Sequence, residues 1–154
     1  MIKARRSVRK FSGRKIERSI LDAMVEEALL APSSKNSKSS QFIIIDDAEI
    51  LKGISKMRDY GSALLEGAAA AIIVLGDTTK TDLWLDNAAI SATYLLLSAT
   101  DRGLGSCWVH VNGRPQSRKD PSQGTAEEYL KSLIEIPENL RPLCVVALGY
   151  PEEI

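Results

Sequence analysis

Histidine occurs once in the 154 residues, cysteine twice, and phenylalanine and tryptophan twice each. With His110 alone, a Ser-His-Asp or Cys-His triad has a single possible base, and no nucleophile-elbow motif accompanies it. Cysteine and histidine together are too few for a zinc site. Cys107 and Cys144 lie far apart in apolar surroundings, which suits reduced thiols and not a disulfide frame. No Walker A sequence is present, and Gly103-Leu104-Gly105 lacks the third glycine of a dinucleotide-binding turn. The longest apolar run, Ala68 to Leu75, is too short to span a bilayer. Basic residues begin at Lys3 with no apolar stretch behind them, so no signal peptide is expected and the cytoplasm is the expected location. Net charge is zero, which removes any case for bulk nucleic-acid or membrane affinity. With so little side-chain machinery, demanding chemistry would have to come from a cofactor.

What is present reads as one ordinary globular domain, 44% apolar and 26% charged. Ile20, Leu21, Met24, Val25, Ala28 and Leu29 share one face of a helix over 18–30 that ends before Pro32. A polar loop follows over 33–40, then a strand over 41–45 and a short helix from Asp46-Asp47 to about Arg58. Residues 62–69 suggest another helix, and 70–75 a buried strand closed by Gly76-Asp77. The longest helix spans 82–102. Its small residues Ala88, Ala89, Ser91, Ala92 and Ala99 would let another helix approach closely, a face expected to serve a second copy of the chain, and Gly103 stops it. A third strand over 105–111, a polar loop over 114–124, an amphipathic helix over 125–134 and a fourth strand over 143–148 complete the series. The alternation is not a clean βαβ series, so one α/β or α+β layered domain is expected.

Three constellations carry possible chemistry. Arg5-Arg6-Ser7-Val8-Arg9-Lys10-Phe11 belongs to a basic N-terminus in which eight Lys and Arg up to Arg18 face one acid, Glu17. If extended, it would turn Arg5, Ser7 and Arg9 to one side, a pattern suited to a phosphate; a solvated basic arm explains it as well. Ala31-Pro32-Ser33-Ser34-Lys35-Asn36 could offer hydrogen bonds to a flat heterocycle, or be a plain connector. Gly103 to His110 could let a ligand ring approach backbone N–H groups, or be a helix cap leading into a core strand.

Taken in order, Arg-Arg-Ser-Val-Arg-Lys-Phe (5–11), Ala-Pro-Ser-Ser-Lys-Asn (31–36), Gly-Leu-Gly-Ser-Cys-Trp (103–108) and Leu-Gly-Tyr-Pro (148–151) resemble the nitroreductase family across nearly the whole chain. The resemblance implies an α+β domain over 1–154, with a central, mostly antiparallel sheet flanked by helices. It implies a homodimer with FMN at the subunit interface, and hydride transfer from NADH or NADPH to nitroaromatic, quinone or enone acceptors by ping-pong kinetics. It assigns Arg5, Arg6 and Ser7 to the FMN phosphate and ribityl chain and Arg9 to the pyrimidine edge. Pro32, Ser33, Ser34 and Asn36 would reach the partner's flavin, and the strand at Val109, His110 and Val111 would face flavin N5. Two departures stand out. The family's Asn loop usually continues Gln-Pro-Trp, where Lys38, Ser39 and Ser40 stand here. The sequence also ends at Ile154, before a tail that in relatives brings Lys or Arg to the phosphate. FMN binding weaker by about one to two decades is therefore expected. A non-catalytic flavin or nucleotide-binding module is the competing expectation, and an interaction domain without cofactor a third.

Overall fold

Four segments rich in β-branched and small apolar residues pair as β1 (Ser40–Ile45), β2 (Ala70–Asp77), β3 (Gly105–His110) and β4 (Leu140–Gly149). In the computed structural model, which describes residues 1–152, they form one antiparallel sheet in the order β1-β2-β4-β3. The expectation about the chain end thus falls partly outside the described residues. The two central strands are covered on both faces, so β2 and much of β4 are continuously apolar instead of alternating. The helices are α1 (Arg18–Ala28), α2 (Ala48–Ile54), α3 (Trp84–Asp101) and α4 (Ala126–Leu133). Ile72, Val74, Val146 and Leu148 face α1 and α3, whereas Ile73, Leu75, Val145 and Ala147 face α2 and α4. The sheet is therefore the middle of three layers, and the fold is α+β as the resemblance implied. No helix among the described residues is long and apolar enough to cross a membrane.

Four details differ from the sequence reading. Helix α2 stops at Ile54, short of Arg58. Ser62 Oγ donates to the carbonyls of Ser55 (2.7 Å) and Arg58 (3.0 Å) and bends the chain out of the helix. Residues 63–67 then form a 3-10 turn, not an α-helix. Strand β4 begins three residues early, at Leu140, despite Pro142. The register with β2 slips there, Val74 facing Cys144 and Leu75 facing Pro142, and this bulge accommodates the missing N–H. The small residues of α3 do not form an outer face: Ala88, Ser91, Ala92 and Ala99 are buried within the same chain, under α1 and against the sheet.

The N-terminal arm crosses the end of the sheet where Gly105 and Gly149 sit directly opposite each other. Val8 N donates to Ser106 O at 2.8 Å, Ser7 bridges to Ser106, and Phe11 bridges to Pro151. A Cβ on Gly105 would lie 2.7 Å from Val8 Cγ1, and one on Gly149 would lie 2.6 Å from Phe11 Cδ1. Gly105 is thus required by the arm's own packing and not by an approaching ligand. Gly105→Ala and Gly149→Ala should each lower stability by about 1–3 kcal/mol, because the added carbon overpacks a filled contact. Urea unfolding measures this, and unchanged midpoints would show that the arm does not lie on these glycines.

Candidate functional site at the edge of the sheet

Strand β3 is an edge strand, so alternate residues turn their backbone groups outward. The ladder fixes which. Val111 N donates inward to Leu143 O at 3.0 Å, and by the two-residue period the N–H of Val109 also turns toward β4. Ser106, Trp108 and His110 face the other way: Ser106 O accepts from the arm, and His110 O accepts from Arg58 Nη1 at 3.3 Å. The N–H groups of Trp108 and His110 therefore point off the edge of the sheet.

A cleft of about 430 Å³ runs along this edge, lined by Arg9, Arg58, Tyr60, Gly61, Ala63, Leu64 and residues 107–110. Its walls are an apolar floor from β3, a half-buried guanidinium from Arg58 and the cation of Arg9. The Trp108 indole N–H donates to His110 Nδ1 at 3.0 Å and the two rings stack, which fixes the imidazole. Burial, then Arg114 and Arg58, lower the His110 pKa below 6.5, so the ring is held neutral. Burial raises the Cys107 thiol, against the opposing influences of Arg9 and Ser7, so it is no ready nucleophile. A second, shallower cleft of about 260 Å³ adjoins through Arg9 and is lined by Arg6, Ser7, Val8, Lys10, Pro151 and Glu152.

The loop after α1 lies at the opposite edge, beside β1. Ser33 lines a separate cleft of about 350 Å³ with residues 28–31, Lys38, Ser40 and Ser91. Buried Asn87 on α3 holds the loop. Its Oδ1 accepts from Ser34 N at 3.0 Å, and its Nδ2 donates to the hydroxyls of Ser34, Ser37 and Ser39 at 3.2, 3.2 and 2.9 Å. Lys35, Asn36 and Lys38 all adopt positive φ, an arrangement that costs free energy and persists only where its surroundings enforce it.

The sequence-predicted residues thus fall into two groups. Arg9 and His110 share the β3-edge cleft, with Val109 in its floor, whereas Arg6 and Ser7 line the adjoining one. Arg5 is exposed and lines neither cleft. Val111 is buried with its N–H already used, so of the strand's three expected residues only His110 presents a backbone donor outward. Ser33, Ser34 and Asn36 are three strand spacings away, about 14 Å or more. Sequence reading missed Arg58 and Asn87, and it included Trp108 in the Gly103–His110 stretch without giving it a role at the site. Arg58 sits in irregular chain with no motif, whereas Trp108 follows once β3 is known to be an edge.

Two predictions follow from these geometries. Asn87→Ala should cost about 1–3 kcal/mol, since it strands the Ser34 amide and the buried Ser39 hydroxyl; a thermal or urea midpoint equal to wild type would remove Asn87 from that role. For His110 the native pKa lies below the unfolded value, so stability is complete above 6.5 and declines as pH falls through that range, where the unfolded chain binds the proton first. His110→Gln should flatten this decline in unfolding measured at neutral and mildly acidic pH. An equally steep decline in the variant would assign it to other groups.

Comparison with known proteins identifies the family to which this fold belongs. The model of the nitroreductase family matches residues 2–86 and 55–150. An Archaeoglobus fulgidus protein, provisionally named an NADH dehydrogenase/NAD(P)H nitroreductase, is 34% identical over 157 residues, covering 99% of this chain and 84% of that one. A similarly named protein of Methanothermobacter thermautotrophicus is 32% identical over 99% of this chain and 76% of its own length. Among solved structures, an FMN-dependent nitroreductase from Clostridium difficile superposes with a TM-score of 0.92 at 36% identity, over all of this chain and 89% of that one. The antiparallel sheet, the arginine arm on its glycine pair and the open edge of β3 therefore belong to a member of the nitroreductase family, an oxidoreductase family, and that is the family of this chain.

Proposed function

We propose that the chain is an FMN-dependent oxidoreductase that takes hydride from NADH or NADPH and passes it to a nitroaromatic, quinone or enone acceptor by ping-pong kinetics. The observation that carries this reading is the β3-edge cleft, where a fixed cation, Arg9, and two outward main-chain donors meet over an apolar floor. The donor set fits the cofactor. Arg9 joins this cleft to the one lined by Arg6, Ser7 and Lys10, so a planar ring and an anionic tail both meet suitable chemistry. FMN, when bound, supplies hydride acceptance and release at N5; the chain's part is to bind and orient. Arg6, Ser7 and Lys10 would hold the phosphate, with Arg5 beside them. Arg9 would sit at the pyrimidine edge, where reduction adds negative charge that a fixed cation stabilises. The outward N–H of Trp108 or His110 would face N5, and Val109 and Val111 would support that strand from inside. Among the described residues no carboxylate lines the cleft, so water would supply the proton to the acceptor.

The reading includes a homodimer. Within one chain the Pro32–Asn36 loop and β3 stand on opposite edges of the sheet, so a site using both needs two protomers. The surface for this is apolar: Leu29, Leu30, Leu85, Ile90 and Tyr94 are all exposed on the α1–α3 layer.

Purified protein reconstituted with FMN should be yellow and should oxidise NADH or NADPH with a quinone faster than free FMN does. Rapid mixing with NAD(P)H should bleach the flavin band; a bound flavin that stays oxidised would mark a non-catalytic binding module. Arg9→Ala should weaken FMN binding by about tenfold or more and lower the flavin reduction potential, and an unchanged potential would remove Arg9 from the pyrimidine edge. Ile90→Glu should shift the protein toward monomer in sedimentation and reduce FMN occupancy with it. A monomer that retains full occupancy would overturn the two-chain site.

A further inference from the structure

Between β3 and α4 the chain folds back over the segment that follows α2. Asp59 N donates to Gln116 O at 2.8 Å, Arg118 N donates to the Asp59 carboxylate at 3.0 Å, and the Arg118 guanidinium lies 4.3 Å over the Tyr60 ring. Ala126 N donates to Arg114 O at 2.9 Å and Gln116 N to Gly124 O at 3.0 Å, which close the loop upon itself. This clamp sets Arg118 over Tyr60, which lines the β3-edge cleft together with Arg58, and it brings Arg114 close enough to act electrostatically on both Arg58 and His110.

Charge there is poorly compensated. Arg58 is half-buried and donates to the His110 carbonyl, and among the described residues neither it nor Arg114 has a carboxylate within ion-pair distance. The nearby acid, Asp59, is already engaged by Arg118 at 3.8 Å. Burial and then the fields of Arg114 and Arg118 push the Arg58 pKa down. Arg58 and Arg114, without carboxylate partners and with a third guanidinium nearby, are favoured by an anion that joins them, and Arg118 can turn from its long, exposed pairing with Asp59 to share it.

We propose that Arg58, Arg114 and Arg118 form a docking site for an anionic group, a phosphate or a carboxylate, on the substrate that enters the β3-edge cleft. The proposal rests on that cleft being where substrate meets the flavin. Two sources supply the same chemistry: the 2′-phosphate of NADPH, or an acidic group on the acceptor.

The experiment has a kinetic arm for each source and a binding arm that needs no turnover. With FMN-loaded protein, kcat/KM is compared for NADPH against NADH using menadione, and for a naphthoquinone sulfonate against menadione using NADH. At least one anionic member should be favoured, and Arg114→Gln with Arg118→Gln should lower that ratio by about tenfold. Ratios near one in both comparisons, or a preference the double variant keeps, would overturn the proposal. So would an FMN dissociation constant weakened tenfold in that variant, which would give the trio to the cofactor. In the binding arm, inorganic phosphate is added at constant ionic strength while the His110 imidazole is titrated by NMR. Its pKa should rise as phosphate masks Arg58 and Arg114, and should not rise in the variant; an unmoved wild-type imidazole also overturns the proposal. Failure of the oxidoreductase reading looks different, since it abolishes turnover with NADH and menadione while the phosphate response persists.

Discussion

The contact on which the site depends is the one between the N-terminal arm and a pair of glycines. Gly105 and Gly149 face each other across β3 and β4, and the space their missing Cβ atoms leave is filled by Val8 and Phe11. An extended segment has few means of holding a position against its own entropy. Here Val8 and Phe11 are seated on bare backbone, and the bonds from Val8 to Ser106 and from Ser12 N to Tyr150 O fix the register. Arg9 lies between those anchors, so its cation enters the cleft from a segment that would otherwise be a free basic tail.

The sheet order imposes a second constraint. With β2 and β4 inside, the two motif-bearing stretches end up on opposite edges, so no single edge of one chain holds both. The loop at the β1 edge is nevertheless built as if for contact. Four contacts from Asn87, to the Ser34 amide and to the hydroxyls of Ser34, Ser37 and Ser39, bracket three non-glycine residues in the left-handed region. The exposed leucines, Ile90 and Tyr94 on the α1–α3 layer give that edge a surface suited to a second copy.

Much of this was legible before any coordinates. Pro32 and Gly103 punctuate the two long helices, and the apolar run at 70–75 has the length and β-branching of a buried strand. Strand ends were harder to read where a residue breaks a local rule for a tertiary reason. The fourth strand was expected only from Leu143, yet a bulge beside Pro142 lets β4 begin at Leu140. Gly76 looked like a terminator, yet it stays within β2 because Trp84 packs over it with no room for a side chain. The small residues of α3 were read as an outer docking face, but helical spacing alone cannot tell the side that meets α1 from the side that meets solvent. At the site, the arginine arm and His110 were visible as motifs, while Arg58 was not, because fifty-odd residues and a sheet edge separate it from the carbonyl it binds. Val109 was placed correctly in the strand, whereas Val111 falls one residue past its end, and the parity of both amides is decided by the pairing with β4.

The outward groups of β3 belong to the main chain, and this bears on how such a site changes over generations. Trp108 and His110 can be exchanged for other side chains without loss of the donors beneath them, provided the strand keeps its pairing with β4. In the proposed site a bound ring would therefore meet donors that no side-chain substitution removes directly, and the side chains at these two positions could be changed to alter what the cleft admits.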